Sequence, residues 1–551
     1  MSSQYFLLVL VLLLLYISCL SIYRVFFHPL SKYPGPTLSA LTNWHAAFHT
    51  YHGKLHIHTH TLHKRYGDVV RAGPNTLWFN TPSALHEIYG TRANVRKSDP
   101  WMALSASRRS PNILSVIDKS VSSFKRRTLA PVFNDNGLKH FEDRIIGHVK
   151  RFTALLDPGS ASTEPTVPRG GEEKAENGNT WGPVVDVADV SNWFAFDAIS
   201  SISYGRSFRM LESPEMRWLP TVYTVMSRRS MISLVQPKVI QWKIDRIFLA
   251  AWYRQILAGG SWIFNRAKAR KAEAEAKATE AEAAQVEVDI FSFLMKAKDP
   301  KKGLQYTLKD MWIESMLLLA AGADTTAATI AFAFFYLLHN PTSLQHLTTE
   351  LRTTFTTAEE IRPGPKLSSC AFLHACITET MRLAPAVPNG SPRTVLDPGL
   401  TVNGEPLPPG TTVSTSLFAL HRNESYFPVA EEFIPERWMS GPESGRGGVS
   451  TDESDSSSCD SSNNRSKAFY PFGLGPRSCI GARLAWLELT LLLARTLYLF
   501  DVMGAGKEGS LRCCESGDRP AASSQRCDYG MRSYALFAPR GPVVRFRRRP
   551  V

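Results

Sequence analysis

One stretch limits what this chain can become. Residues 311–339, MWIESMLLLAAGADTTAATIAFAFFYLLH, form an almost unbroken apolar run. By length it could cross a bilayer. It carries Glu314 and Asp324, however, and carboxylates inside hydrocarbon are costly. The run therefore reads as a long helix through the core of a large domain, since a helix that is apolar all round is a buried one. The chain of 551 residues supplies the wrapping: 44% is apolar and 11% aromatic, a globular composition.

A second apolar run stands at the N-terminus. MSSQYFLLVLVLLLLYISCLSIY has no charge, and Tyr5 to Tyr23 approaches the ~20 residues of a spanning helix. A signal peptide would need a positive n-region and a small-residue cleavage site, and neither is present. Arg24 and Lys32 follow the run and nothing basic precedes it. The positive-inside rule then leaves the bulk of the chain in the cytosol. Pro29, Pro34 and Pro36 stiffen the exit. The expected organisation is an anchor and neck over residues 1–36, with the span at about 5–23. A single domain fills 37–551.

The rest of the chain predicts a mainly α fold with small β-sheets, an α+β domain. Residues 66–73 and 75–81 read as two strands around a turn, and 83–155 as mostly helical. Residues 267–285 read as a solvated Ala/Glu/Lys helix. Asn403-Gly404 marks a hairpin across 400–415, and 531–546 reads as a final strand pair. Polar, Gly-, Pro- or Ser-rich segments near 157–182, 440–467 and 505–528 are expected to be disordered insertions.

The formal charge is +14, with basic groups at 123–127, 265–271 and 544–549. No aromatic stacking pattern is interleaved with them, so a membrane surface or an acidic protein suits them better than nucleic acid. Each group taken singly reads as a solvated face. The eight cysteines have no framework spacing and no CxxC pair, which points to a reducing compartment. His56, His58 and His60 alternate at i, i+2 and read as a polar surface near the neck rather than a metal site. Asn389, Asn423 and Asn464 stand in sequons that a cytosolic location leaves unmodified.

Chemistry concentrates at FGLGPRSCIGARLAW, residues 472–486. Gly475 and Gly481 flank Cys479 and allow backbone N–H groups to approach the sulfur. A helix begins just after it, and its dipole, with Arg477, favours the thiolate. No His or second Cys completes a zinc site or a nucleophile–base relay. A single thiolate ligating haem iron fits best.

The pattern F-x-x-G-x-R-x-C-x-G resembles the haem loop of the cytochrome P-450 haem-thiolate monooxygenases. The resemblance makes Cys479 the iron ligand of a haem b, pairs Arg477 with a propionate and packs Phe472 near the sulfur. It implies that the haem lies between the long helix and the cysteine loop. ITETMRLAP supplies an E-x-x-R pair, Glu379 and Arg382, and FIPERW adds Arg437; in the family this trio is structural. AAGADTTA supplies Asp324 and Thr325, which the resemblance casts as the pair handling protons during oxygen activation. Gly322 is expected to leave room for a flat cofactor, and Thr325 to open the helix locally by bonding a backbone carbonyl. Arg393 and Arg126 are further propionate candidates. Relatives often carry His or Trp where this chain has Ser122.

Carried through, the resemblance implies a fungal-type, single-pass endoplasmic reticulum enzyme of secondary metabolism. It inserts one atom of O2 into an apolar small-molecule substrate. NADPH supplies the electrons through a separate diflavin reductase, the lipid bilayer holds the anchor, and no nucleic acid takes part. Met316, Leu319, Ala320, Ala386 to Pro392 and Trp101 are the expected pocket walls. A same-fold isomerase or dehydratase without a reductase, or a non-catalytic haem sensor, are the alternatives.

Overall fold

The computed structural model describes residues 2–549 apart from 108, 158–180, 249, 280–288, 299–302, 304, 440–460 and 506–530. The three expected insertions fall mostly outside the described residues. The described end of the second, Ser461–Ala468, is a helix.

The chain opens with α1 (Ser2–Ile22), whose apolar side chains are exposed; residues Gln4–Phe27 are long and apolar enough to cross a membrane. After the prolines come α2 (Thr37–Leu41), α3 (Trp44–Tyr51) and α4 (Leu55–Tyr66). Strands β1 (Val69–Gly73) and β2 (Thr76–Phe79) follow, then α5 (Pro82–Tyr89) and β3 (Val95–Lys97). The neck is docked on β1. Arg71 N donates to Pro34 O at 2.7 Å, and a Cβ on Gly35 would lie 2.4 Å from Arg71 O.

The helical body comprises α6 (Lys119–Phe133), α7 (Asp135–Lys139), α8 (Glu142–Leu156), and, after the short strand β4 (Val185–Asp186), α9 (Val187–Tyr204) and α10 (Leu219–Val235). It continues with α11 (Lys238–Gln241), α12 (Ile244–Phe248), α13 (Ala250–Thr279) and α14 (Ile290–Lys296). The governing apolar run is α15, Leu308–His339. It starts three residues before the apolar run because Thr307 and Asp310 form a capping box, each side chain bonding the other's backbone N–H. As the sequence requires, α15 is wrapped: α9 lies along it most extensively, with α13 and α14 also against it.

The second half adds α16 (Pro341–Thr354), α17 (Pro365–Ser368), α18 (Ala371–Leu383), β5 (Arg393–Val395), β6 (Leu400–Val402), β7 (Glu405–Leu407) and β8 (Thr412–Thr415). It ends with α19 (Leu417–Leu420), α20 (Ser461–Ala468), α21 (Ala482–Leu499), β9 (Phe500–Gly504) and β10 (Val543–Arg548). The sheets are β1-β2-β8-β5-β3, β4-β10-β9 and β6-β7. Two sequence expectations are corrected here. The Asn403-Gly404 hairpin spans only β6 and β7, while β8 joins the five-stranded sheet parallel to β2. The last strand pair is not local: β10 pairs with β9 and β4, and the described residues 531–542 supply no strand to it.

The histidine-rich stretch is α4, and it is not a plain polar surface. His56 is buried between Phe418 and Phe537 and lies 2.6 Å from Ser533 Oγ. His60 meets Glu431 at 3.4 Å. His58 leaves that face and stacks on His49 of α3.

Candidate active site

The cysteine loop is fastened before the helix it introduces. Cys479 N donates to Phe472 O at 2.7 Å, closing a tight turn. Gly473 and Gly475 take φ of +73° and +72°, which a side chain rarely adopts. Gly475 has a second reason to be glycine, since a Cβ there would lie 2.1 Å from Tyr89 O. Its close approach is to the end of α5 and not to the sulfur. Gly481 stands at the N-cap of α21, and its backbone N–H bonds the Cys479 thiol.

The electrostatics differ from the sequence expectation. Burial pushes the Cys479 thiol up, and the Gly481 N–H and the Arg126 charge only partly offset it. The cation acting on Cys479 is therefore Arg126, whose Nη1 also donates to Ser478 O at 2.8 Å. Arg477 turns away: it donates to Val116 O at 3.0 Å, to Ile117 O at 3.1 Å and to the Ser122 hydroxyl. The small Ser122 is thus the seat of Arg477. Cys479 itself keeps accessible surface although protein surrounds it, as a side chain lining an internal cavity does.

Beside it lies a group of cations that make no ion pair with an acid among the described residues. Lys97 and Arg393 are buried and face each other as register partners of β3 and β5. Like charges opposed across a ladder repel. Burial holds the Lys97 amine well below its usual range, and Arg393, Arg477 and Arg126 push it further down. Burial, then Arg393 and Arg126, lower Arg477 to about 10. Their bonds among the described residues go to carbonyls and one hydroxyl: Lys97 to Leu114 O, Arg393 to Ser391 O at 3.2 Å. Asp118, whose charge reaches Arg477, accepts from Val121 N as the N-cap of α6. Such a group calls for an external dianion, and two carboxylates on one flat ligand fit it.

On α15, Thr325 Oγ1 donates to Ala321 O at 2.7 Å, and the helix runs on unbroken, so the expected local opening does not occur. Burial raises the Asp324 carboxyl to about 7. Gly322 lets α9 come close: a Cβ would lie 2.7 Å from Ile199 Cγ1. Of the expected pocket walls, Met316 and Leu319 are buried in the core, whereas Leu317, Ala321 and Thr325 form an accessible stripe at i, i+4, i+8. Trp101 is fixed by its indole N–H to Pro392 O at 2.9 Å.

The Glu379 trio is assembled. Arg382 makes two bonds of 2.8 Å to the Glu379 carboxylate, and Arg437 Nε adds one at 3.0 Å. Ile434 N and the Trp438 indole complete the set. Burial alone would raise Glu379, but the two arginines and these donors hold it below its usual range. The remaining Arg382 donors reach His421 O, Ala430 O and Glu432 O.

Sequence reasoning missed Lys97, because its meaning depends on its partner strand. It also missed Glu488 of α21, which accepts from Thr326 Oγ1, and the buried Lys125–Glu314 pair at 2.5 Å.

The profile of the family described as Cytochrome P450 matches residues 34–511. The chain is 32% identical over 540 residues to "Cytochrome P450 monooxygenase AKT7" of Alternaria alternata, covering 98% of this chain and 96% of that protein. It is 33% identical to "Cytochrome P450 monooxygenase apf7" of Gibberella fujikuroi, over 88% of each. It is 31% identical to "Cytochrome P450 monooxygenase atnE" of Emericella nidulans, over 96% and 94%. Among solved structures, "Crystal structure of cytochrome P450DA heme domain" superposes with a TM-score of 0.65 over 90% of this chain and 93% of that one. At 17% identity this is a likeness of fold.

Proposed function

The chain belongs to the cytochrome P450 family, and from that premise we propose that Cys479 is the haem ligand of a monooxygenase acting on an apolar organic substrate. The observation that carries the site assignment is the accessible Cys479 beside four cations that make no ion pair with an acid among the described residues. Lys97, Arg126, Arg393 and Arg477 are the candidates to hold the two propionates. The family binds haem b through a cysteine thiolate, which supplies oxygen activation and insertion of one oxygen atom into substrate.

The chain's own residues then have separable tasks. Phe472 O and the Gly481 N–H fix the direction of the Cys479 side chain. Asp324, raised to about 7, can hold or release a proton at its carboxyl near neutral pH. Thr325 keeps its hydroxyl parked on Ala321 O, on the accessible stripe of α15. The same stripe, with Leu317 and Ala321, offers an apolar wall to substrate. Glu379, Arg382 and Arg437 hold the core and do not touch the chemistry.

Membership of fungal secondary metabolism is supported by the relatives' likeness over nearly their whole length. Electrons come from NADPH through a diflavin reductase drawn to the basic surface. The exposed apolar α1 suits a single-pass anchor in the endoplasmic reticulum, with the catalytic domain cytosolic. Asn389 is buried, its amide bonded to Tyr534 O, and so lies out of a glycan's reach.

The test is a carbon monoxide difference spectrum of the wild type and Cys479→Ala. The wild type should give the thiolate-type Soret shift and the variant should lose it; a variant that kept it would overturn the assignment. Substrate-dependent NADPH consumption with reductase separates the monooxygenase from an isomerase or a sensor.

A further inference from the structure

Helices α3 and α4 bring together three imidazoles that the sequence keeps apart. His45 and His49 stand at i, i+4 on α3, so they share a face. His58 reaches them from the first turn of α4. One ring nitrogen of each lies within 4.8 Å of the other two. The His49 and His58 rings are stacked at 3.8 Å, and His45 stands edge-on to both, at 5.1 and 4.9 Å. All three are half-buried. A fourth group orients the set: Ser39 Oγ, itself buried, lies 2.9 Å from His45 Nδ1. That bond leaves His45 Nε2 as the ligand atom and fixes its ring, the arrangement that metal-binding histidines use.

We propose that His45, His49 and His58 bind one divalent transition-metal ion of the zinc class, with the fourth position left to water. The donor set decides the class. Three imidazoles without a carboxylate suit zinc and its neighbours, whereas calcium and magnesium require oxygen. Zinc–nitrogen bonds of about 2.1 Å set tetrahedral ligand atoms about 3.4 Å apart. The nitrogens must therefore draw inward, and the His49–His58 stack must open, because parallel rings cannot aim both lone pairs at one point. Side-chain rotation of half-buried rings supplies that movement without shifting either helix.

The ion has a defined structural effect. A cavity of about 420 Å³ is lined in part by Asn43 and Ala46, at and beside the start of α3, and by Leu55 and Thr59 of α4. An ion on His45, His49 and His58 would tie α3 to α4, the two helices that supply these lining residues.

The experiment uses tag-free, haem-loaded full-length protein stripped of other metals with a chelator. Samples are dialysed to equilibrium against Zn2+ and analysed for zinc, with iron counted in the same sample as the measure of folded enzyme. One zinc per iron is expected in the wild type. Affinity should fall at least about tenfold in His49→Ala and His58→Gln, and roughly tenfold in Ser39→Ala, which removes only the orienting bond. His52→Gln, beside the cluster but outside it, should bind as the wild type does. If His49→Ala loses its haem, His58→Gln and Ser39→Ala are read instead. Equal zinc in wild type and cluster variants, or none in the wild type, overturns the site.

Discussion

The Thr326 hydroxyl donates to Glu488 Oε2 at 3.0 Å and thereby ties α15, next to the Asp324–Thr325 pair, to the helix that the Cys479 loop launches. The two faces of the site are held by a neutral contact. Burial pushes the Glu488 carboxyl up to about 8, with the Thr326 bond opposing the shift.

That contact makes stability depend on pH. An unfolded Glu488 ionises near 4.5, whereas the folded one stays protonated until about 8. The unfolded state thus binds fewer protons in this window, and the Glu488 contribution falls as pH rises from 4.5 to 8. Glu488→Gln should flatten this component in denaturant midpoints measured across the window. Glu488→Leu should cost about 1–3 kcal/mol by orphaning Thr326.

The cation group gives opposite predictions for loaded and empty protein. Lys97→Met relieves the repulsion with Arg393 across β3 and β5. The haem-free variant should melt higher than haem-free wild type, while its haem dissociation should be faster by about tenfold or more, the worth of one charge-assisted bond. A parallel rise in both forms would show that the lysine meets no anion.

Asp324→Asn should lower turnover by about a hundredfold or more if the carboxyl moves protons. It should also raise the melting temperature at pH 8, where the wild type must ionise a group whose ordinary value is 3.8 and whose folded value is about 7. The gain should narrow towards pH 4, below which both folded and unfolded wild type are neutral. Melting curves at several pH values, with turnover at one, check both parts.

Gly322→Ala should destabilise by about 1–3 kcal/mol through contact with Ile199, 2.7 Å from the new Cβ. Combining it with Ile199→Ala should recover part of the loss, as measured by a double-mutant cycle. A flat-cofactor role would instead predict loss of haem with no rescue.

Glu379→Ala should reduce the yield of folded, haem-loaded protein sharply. It leaves Arg382 and Arg437 buried without their anion, a loss of about 3–5 kcal/mol.

What could be read from the sequence was whatever short spacing encodes. Cys479 sits between residues a few positions away, and Glu379 and Arg382 share a helix face, so their contacts follow from local geometry. Lys97 carries no such mark; only the β3–β5 register places it opposite Arg393. The side of α15 that opens inward was equally hidden. A helix apolar all round gives no moment to read, and Leu317 and Ala321 differ from Met316 and Leu319 only by what packs on them. The partner of the last strand was hidden because β9 lies beyond a long intervening segment, which no local pattern marks. His58 belongs with His45 and His49 only because α3 and α4 fold against each other.

The neck has a mechanical consequence. Arg71 Nη1 donates to Arg24 O at 2.8 Å, Arg24 Nη1 donates to Leu41 O at 2.6 Å, and Gly35 leaves no slack against Arg71. The leading helix is therefore bolted to the sheet at several points and is not tethered to it by a free hinge. Its tilt is inherited by the whole body. Lengthening the link would change the orientation of every opening on the body's surface, not merely its reach.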